Sequence, residues 1–381
     1  ERGYENTKIS DITEALRMGK STFYVYFKNK RELFLECIDR LAVTIVPPES
    51  WDEIRKERDY IRKNYKRGIA FLKAFPGYRG ILNMIRGAVG RNDPVLAQKP
   101  RNLDRLRNGT YELGSIFKAL TIAMALDKKT VTSATVFDVR RPIAIGRHAI
   151  RDYHAAGRPL SVEEIFVHSS NVGAGLIALE LGAREQRAFL DRLGLLAPLE
   201  TETGTTASPQ VPGNWGRAEV ATIAFGHGLA VTPLHFARAG AILVNGGIDV
   251  TPRFIEDARR REEAPRRLLS GQTSDEIRRL MRMNVIHRKG SGKRADVPGY
   301  RVGGKTGTAD LAAGGRYDGR AVVTSFFGAF PIDDPAYVVL VTLYDPKGIG
   351  ALKSRTAGTN AAPTTGRIIA RAAPLLGVTK R

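Results

Sequence analysis

The sequence predicts an α+β domain that follows a shorter all-helical segment, with the boundary between Gln98 and Asn108. Residues 1–98 have the pattern of short helices rich in Lys, Arg and aromatic residues, and Pro47-Pro48 separates one helix from the next. After Gly109, helical patterns alternate with runs of β-branched residues and glycine-rich turns. Because the sequence patterns before and after this boundary differ, we expect two structurally distinct pieces.

Composition narrows the class of protein before any motif is considered. Of the 381 residues, 43% are hydrophobic and 26% are charged, which is typical of a globular chain and excludes collagen, coiled coil and disorder. The single cysteine, Cys37, excludes an internal disulfide and a zinc site built from cysteines. The longest apolar runs, such as 338–343, are far shorter than the roughly 20 residues that cross a bilayer, so no membrane span is expected.

The net charge of +21 favours polyanionic partners such as nucleic acid, anionic lipid or an acidic polymer. A diffuse basic surface is the simpler interpretation, since the charge is not concentrated in one arm of the chain. No export signal is recognisable at the start, so the chain as written is expected to stay in the cytoplasm.

The first piece predicts a helix-turn-helix. Ile9, Ile12 and Leu16 recur at helical spacing, a turn follows at 17–19, and a second short helix begins near Lys20. The second helix of such a unit can enter the major groove of DNA. The side chains expected to meet bases or phosphates are Lys20, Ser21, Thr22, Tyr24, Tyr26 and Lys28. The alternative is a small helical bundle that does not bind DNA.

The run from Thr7 to Leu33 resembles the DNA-binding segment of TetR-type repressors. The resemblance implies a DNA-binding segment over 1–46, whose first helix is reduced to 1–4, and duplex DNA as a partner. Residues 47–98 match only loosely, which implies a remnant of the helical regulatory domain through which the family dimerises. An oligomer is therefore compatible with the sequence.

The second piece contains three short motifs in order: Ser115-Ile116-Phe117-Lys118, Ser169-Ser170-Asn171 and Lys305-Thr306-Gly307-Thr308. A serine hydroxyl is a poor nucleophile until a neighbouring base removes its proton. Ser115 is expected to begin an apolar helix that runs to Asp127, which places Lys118 one turn later on the same face. The ordered trio therefore predicts serine acyl transfer with Lys118 as base.

Each remaining motif residue has a predicted role. Burial and the second cation of Lys305 would help Lys118 to lose its proton near neutral pH. Ser169 would relay protons to the leaving amine, and Asn171 would bind a substrate amide or fix Lys118. A substrate carboxylate would meet Lys305 and the hydroxyls of the predicted strand, and backbone N–H groups would form the oxyanion hole. The residues expected to bind substrate are Thr306, Gly307 and Thr308, and the oxyanion donors are the N–H groups of Ser115 and Thr308.

The trio and its flanking sequences resemble the penicillin-binding proteins and serine β-lactamases, and in particular the class B penicillin-binding proteins that cross-link septal peptidoglycan. The resemblance implies a D,D-transpeptidase: Ser115 attacks the penultimate D-Ala of a stem peptide, D-Ala leaves, and an amine of a neighbouring stem takes the acyl group. β-Lactams would acylate the same serine. No metal or organic cofactor is implied, and the family acts on the periplasmic face of the inner membrane.

The resemblance also predicts a truncated domain over 99–381. The first strands of the family's sheet are missing, which leaves three predicted strands at 300–309, 321–330 and 336–344. A sheet without those neighbours exposes an edge. His235 stands where the family usually has glutamine.

Three alternatives stay open at this point. Gly299, Gly304, Lys305 and Thr306 satisfy a phosphate-loop pattern, which requires a helix after Thr306. A TetR-type regulator with an inactive or β-lactam-sensing penicillin-binding domain would also explain the two pieces. An accidental join of two truncated genes, a chimera, explains both truncations at once and is the interpretation we favour.

The remaining features predict structure rather than chemistry. Residues 198–215 read as one long surface loop, and 273–288 as a surface helix with a capping box at Thr273 and Glu276. That helix would pack Ile277, Leu280 and Met281 inward. The six histidines are scattered without metal-ligand spacing, and His227, in a glycine-rich loop, is expected to be structural.

Overall fold

The computed structural model describes residues 8–15, 24, 29, 104–146, 148–202, 204–254, 264–313, 316–348 and 354–380. The chain divides into two units, residues 1–103 and 104–381. In the first unit, helix α1 spans Ile9–Ala15, and the Lys8 backbone N–H donates to the Asp11 carboxylate at 2.8 Å. This helix agrees with the apolar spacing that begins at Ile9.

The second unit is built around one buried helix. Its helices are α2 (Arg105–Asn108), α3 (Lys118–Asp127), α4 (Val162–His168), α5 (Asn171–Arg192), α6 (Arg217–Ile223), α7 (Pro233–Val244), α8 (Gly271–Ile286) and α9 (Ala361–Leu375), with 3₁₀ turns at Gly114–Phe117 and Lys293–Ala295. Every residue of α3 from Lys118 to Ala125 is buried. A helix that is apolar on all sides belongs in the centre of a domain, and α3 occupies that place. No helix among the described residues is long and apolar enough to cross a membrane.

The strands form two short ribbons and one sheet, all antiparallel. The ribbons pair β1 (Val136–Phe137) with β4 (Leu160–Ser161), and β2 (Ile143–Ile145) with β3 (His148–Ile150). The sheet has the order β5 (Gly303–Ala313), β6 (Arg316–Phe330), β7 (Tyr337–Tyr344). The three predicted strands are confirmed, although β5 and β6 extend further toward each other than expected. The α+β class is confirmed as well.

The register of the sheet explains why a lysine lies in the core. Lys305 on β5 is paired directly with Phe327 on β6, so the two side chains lie on the same face of the sheet. Phe327 packs edge-on against Phe236 of α7 at 5.5 Å between ring centroids, and Phe236 packs against Phe117 at 5.4 Å. Lys305 is therefore directed toward the helices and is 0% exposed.

The β7 edge of the sheet is less buried than the strands β5 and β6. All residues of β7 after Tyr337 are only partly buried, and no described strand pairs with the outer edge of β7. On the other side, β5 is also an edge strand of the described sheet, which leaves its outer backbone groups for other partners.

Three local predictions have different outcomes. Helix α8 begins at Gly271, because the Ser270 hydroxyl accepts from the Thr273 N–H at 3.1 Å and acts as N-cap, so the predicted capping box at Thr273 is wrong. Ile277, Leu280 and Met281 are fully buried, as their spacing predicted. The described part of 198–215 contains no helix or named strand, which confirms the long loop.

Candidate active site

Ser115 and Lys118 meet because the turn that carries them is tight. The predicted helix from Ser115 to Asp127 is present, but its first turn, residues 114–117, is 3₁₀, and the α-helix α3 begins at Lys118. In a 3₁₀ turn, residues three apart eclipse each other, which aligns the two side chains. Lys118 Nζ lies 2.5 Å from Ser115 Oγ. Lys118 is 0% exposed, whereas Ser115 is only half-buried.

The turn between α4 and α5 supplies two further contacts to Lys118. Its Nζ lies 2.7 Å from Asn171 Oδ1 and 3.3 Å from Ser169 Oγ. Ser169 adopts a left-handed conformation with φ 59° and ψ 41°, which costs a non-glycine residue about 1 kcal/mol or more and is concentrated at functional sites. The strain is sustained because the helices on both sides of the turn are packed.

The middle residue of the Ser169-Ser170-Asn171 motif points the other way. Ser170 Oγ donates to Asp152 Oδ2 at 2.7 Å and accepts from the Gly173 N–H at 2.9 Å. Asp152 Oδ1 accepts from the Val172 N–H at 2.9 Å, and the Asn171 amide donates to the Arg151 carbonyl at 3.2 Å. Sequence reasoning missed Asp152, since nothing in the local pattern marks a contact with a helix start about twenty residues away.

Lys305 reaches the same cluster from β5. Its Nζ donates to Ser169 Oγ at 2.9 Å and to the Thr306 carbonyl at 3.2 Å. The strand lies this close to the 3₁₀ turn only because residue 307 is glycine: a Cβ there would lie 2.4 Å from the Leu113 carbonyl oxygen. The five predicted catalytic residues, Ser115, Lys118, Ser169, Asn171 and Lys305, therefore converge on one site.

Burial sets the charge of the two lysines. Burial first, and then the nearby charge of Lys305, lower the pKa of Lys118 well below its ordinary value, while Asp152 acts in the opposite direction. Burial lowers the pKa of Lys305 to about 7. A neutral Lys118 amine has two N–H donors and one lone pair. Asn171 and Ser169 take the two donors, which leaves the lone pair for the proton of Ser115.

The predicted substrate-binding residues lie on the edge strand. Thr308 is exposed, and its hydroxyl accepts from the Ala357 N–H at 3.1 Å. Thr306 is 6% exposed, and its hydroxyl contacts that of Ser291. Both hydroxyls therefore already have partners that hold them in place.

A buried asparagine supports this edge from behind, and sequence reasoning missed it. Asn284 on α8 donates through Nδ2 to the Gly304 carbonyl at 2.8 Å. Its Oδ1 accepts from the N–H and the O–H of Ser291 at 3.2 and 3.1 Å. Because Ser291 contacts Thr306, Asn284 links the rigid helix α8 to the strand that carries the motif. The signal available in the sequence was spacing: Asn284 lies four residues after Leu280 and three after Met281, on the apolar face of the helix, where a buried amide needs hydrogen-bond partners.

The two histidines noted in the sequence lie in different places. His235 is 0% exposed, with Nε2 2.9 Å from the Ala197 carbonyl and Nδ1 2.7 Å from the Thr232 hydroxyl, and burial lowers its pKa. It therefore holds the start of the long loop rather than the Ser115 cluster. His227 is partly buried, with its ring 5.3 Å from that of Phe225, and burial likewise lowers its pKa.

The other sequence hypotheses have mixed outcomes. The backbone after Thr306 is strand, so the phosphate-loop alternative is wrong. Among the described residues, no group of three or more His, Cys, Asp and Glu is placed to hold a metal. Of the predicted DNA-binding side chains, Tyr24 is helical and 56% exposed. Lys20, Ser21, Thr22, Tyr26 and Lys28 lie outside the described residues, as does the segment 47–98.

An α+β domain with a buried lysine against a serine hydroxyl is the arrangement of serine acyl-transfer proteins. The family model "Penicillin binding protein transpeptidase domain" matches residues 85–370, and the chain belongs to this family. A second model, "Bacterial regulatory proteins, tetR family", matches residues 1–37, so the resemblance of the first piece is confirmed. The domain limits 1–46, 47–98 and 99–381 remain predictions.

Individual relatives agree with the assignment of the chain to the transpeptidase family. The chain is 41% identical to a "Probable peptidoglycan D,D-transpeptidase FtsI" of Caulobacter vibrioides over 75% of this chain and 50% of that protein. It is 32% identical to the "Stage V sporulation protein D" of Bacillus subtilis over 71% of this chain and 43% of that protein. The transpeptidase domain of Burkholderia pseudomallei penicillin-binding protein 3 superposes with a TM-score of 0.67 at 29% identity, over 74% of this chain and 84% of that one. The chain thus spans about half the length of these curated relatives.

Proposed function

We propose that the second unit is a serine D,D-transpeptidase that transfers the acyl group of a peptidoglycan stem peptide ending in D-Ala-D-Ala. The observation that supports this most is the 2.5 Å contact between Ser115 Oγ and the buried Lys118 Nζ. Membership of the transpeptidase family supports the choice of substrate. β-Lactams would acylate the same serine.

In the first step, Lys118 takes the proton of Ser115 as Oγ attacks the carbonyl carbon of the penultimate D-Ala. The negative charge that develops on the carbonyl oxygen would be held by the N–H groups of Ser115 and Thr308, each worth roughly 3 to 4 kcal/mol. Gly307 lets β5 approach the turn that carries Ser115, which supports this pairing of donors. A tetrahedral intermediate results.

The leaving amine then needs a proton. Ser169 Oγ lies 3.3 Å from Lys118 Nζ and 2.9 Å from Lys305 Nζ, so it can pass the proton from Lys118 to the departing D-Ala nitrogen. The C–N bond breaks, and the acyl group remains on Ser115. The acceptor amine reverses these steps: it loses its proton through Ser169 to Lys118, forms the new amide bond, and Ser115 regains its proton.

Substrate orientation is assigned to the edge of β5. A peptide that adds to this edge as a further strand would use the strand's outer backbone groups. Its terminal carboxylate would meet Thr306, Gly307, Thr308 and the charge of Lys305. No cofactor enters any of these steps.

The first piece carries a second candidate function, duplex DNA binding by residues 1–46 through Lys20, Ser21, Thr22, Tyr24, Tyr26 and Lys28. The match of residues 1–37 to the TetR family model supports it. A regulator that senses β-lactams by acylation of Ser115 is the corresponding alternative. The chimera hypothesis is tested by sequencing the locus with long reads across residues 98–108, where a continuous native reading frame would contradict an accidental join.

Acyl transfer is tested by incubating the purified chain with a peptide that ends in D-Ala-D-Ala and an isotope-labelled D-amino acid acceptor. We expect release of D-Ala and an acylated acceptor, both abolished in Ser115→Ala. The matched control is Ser208→Ala, which removes an exposed hydroxyl in the long loop and should leave both products unchanged. Products that persist in Ser115→Ala would contradict the proposal.

A further inference from the structure

A cavity of about 240 Å³ lies beside the Ser169 turn, between α4 and the loop that follows α8. Its basic lining residues are Arg158, His168, His287, Arg288 and Lys289. The remaining lining is Glu163, Glu164 and Val167. None of these residues belongs to the Ser115 cluster, although His168 directly precedes Ser169.

Both carboxylates in the lining are paired with arginines. Glu164 is paired with Arg158 at 2.5 Å and accepts from the Ser161 N–H at 3.0 Å, which fixes it as part of a helix cap. Glu163 is paired at 2.7 Å with Arg279, a residue outside the cavity lining that also pairs with Glu276 at 2.8 Å. With Arg158, Arg288 and Lys289 against these two carboxylates, the lining stays net positive even when both histidines are neutral.

The unbalanced charge lies on Arg288 and Lys289. Both are exposed, and neither forms an ion pair within the part of the chain that the structure describes. Burial first, then the charges of Lys289, Arg158 and His287, lower the pKa of His168, and Glu164 opposes them. The groups around His168 are thus net positive, and an anion in the cavity would relieve their repulsion.

The two segments that form the cavity also carry or contact residues of the proposed active site, near Ser169, where the leaving amine would depart. Helix α4 ends at His168, and Ser169 follows as its C-cap. The loop that carries Lys289 also carries Ser291, whose hydroxyl contacts Thr306. By microscopic reversibility, the acceptor amine enters where the leaving amine departs, beside Ser169. An acceptor peptide whose amine is bound there would have the cavity beside it, because His168 in the cavity lining directly precedes Ser169, and a peptide carries at least its terminal carboxylate.

We propose that this cavity is an anion subsite that binds a carboxylate of the acceptor peptide, with Arg288 and Lys289 as its principal cations. The identity of the peptide rests on the proposed transpeptidase function, whereas the affinity for a carboxylate does not. The two parts can therefore be tested separately.

The binding test titrates the full chain with N-acetyl-D-alanine and follows the imidazole NMR signals of His168 and His287. We expect a saturable shift and a rise in the pKa of His168, because an anion favours the charged imidazole. The neutral N-acetyl-D-alaninamide should produce neither effect. Equal effects of acid and amide would overturn the proposal, as would binding of inorganic phosphate with no binding of the carboxylate.

Matched charge variants separate a built site from general attraction. Arg288→Gln/Lys289→Gln should weaken carboxylate binding at least about fivefold, since hydrogen bonds to charged groups are the stronger class. Arg367→Gln/Arg371→Gln removes the same charge from exposed positions on α9 and should leave binding unchanged. If both double variants weakened carboxylate binding equally, the loss of net charge alone would explain the effect, and the proposal would be overturned. Thermal unfolding checks that both are folded.

The same variants connect the subsite to transfer. In Arg288→Gln/Lys289→Gln, we expect the KM for the acceptor to rise while the rate of acylation by penicillin is unchanged. If penicillin does not label the parent chain but the carboxylate still binds, the transpeptidase proposal fails and the anion site stands. If labelling succeeds and the carboxylate does not bind, the subsite alone is overturned.

Discussion

Ser170 donates its hydroxyl proton to the carboxylate of Asp152 at 2.7 Å, away from the cluster that its two neighbours join. This contact fixes the conformation of the turn, so that Ser169 and Asn171 both face Lys118. The conformation of the turn therefore depends on Asp152, a residue outside the three motifs.

Replacing Asp152 with alanine should destabilise the protein by about 1–3 kcal/mol, because the Ser170 hydroxyl and the Val172 N–H lose their acceptor. Urea unfolding measures the loss. Asp152→Asn keeps the shape but removes a charge that raises the pKa of Lys118, so the acid limb of the acylation rate should move to lower pH. An unchanged pH profile in Asp152→Asn would argue against electrostatic coupling between the two residues.

Lys305 should make stability depend on pH in the alkaline range. Burial lowers its pKa to about 7, whereas an unfolded lysine has a pKa of about 10.4, so between these values the unfolded chain binds more protons. Stability from this group therefore rises from pH 7 toward pH 10. Lys305→Met should be more stable than the parent at pH 6, and the gap should narrow toward pH 10. A gap that is constant in urea unfolding across this range would contradict the assignment.

His235 should contribute a separate pH dependence in the acid range. Its pKa is lowered by burial, so the unfolded chain gains a proton first and stability falls as the pH drops below about 6.5. His235→Gln introduces the residue usual in the family and should reduce the difference in unfolding free energy between pH 7 and pH 5. His154→Gln, which changes an exposed histidine, is the control. Equal effects of the two substitutions would place the pH dependence elsewhere.

Gly307→Ala should slow the acylation of Ser115, because the substitution moves β5 at the site. The added Cβ would lie 2.4 Å from the Leu113 carbonyl oxygen, so β5 must move away from the turn that carries Ser115. A displacement of about 1 Å at such a site can cost roughly 100-fold in rate. Gly213→Ala, with nothing within 4 Å of the added Cβ, should acylate at the parent rate. The comparison is a stopped-flow measurement with a fluorescent penicillin.

DNA binding, if residues 1–46 provide it, should depend steeply on salt. Contacts between lysines and phosphates release counterions, so affinity for a duplex should fall by orders of magnitude between low and high ionic strength. Lys20→Ala and Lys28→Ala should each reduce the slope of affinity against salt. Equal retention of the duplex at both ionic strengths would contradict phosphate recognition by this segment.

The sequence predicted the parts of the site whose chemistry is local. The motifs at Ser115, Ser169 and Lys305 were recognisable because each combines a reactive group with a fixed spacing, and the three long strands because each is an extended run with β-type residues. The four short strands β1 to β4, which form the two ribbons, were not predicted, since strands of two or three residues show no periodicity.

The residues that hold the motifs in place could not be predicted in the same way. Asp152 and Asn284 act across about twenty residues of sequence, through hydrogen bonds that only the folded chain creates. Helix α8 starts earlier than predicted because Ser270 and Thr273 both carry hydroxyls that can cap a helix, and it is the Ser270 hydroxyl that accepts from the Thr273 N–H.

Activation of Ser115 by Lys118 is tested by covalent labelling with a fluorescent penicillin, followed by mass spectrometry of the digested chain. A single adduct on the peptide that contains Ser115, absent in Ser115→Ala and retained in Ser208→Ala, is the result that the geometry predicts. A folded parent chain that acquires no label, or a label carried by another residue, would contradict the claim that Lys118 activates Ser115.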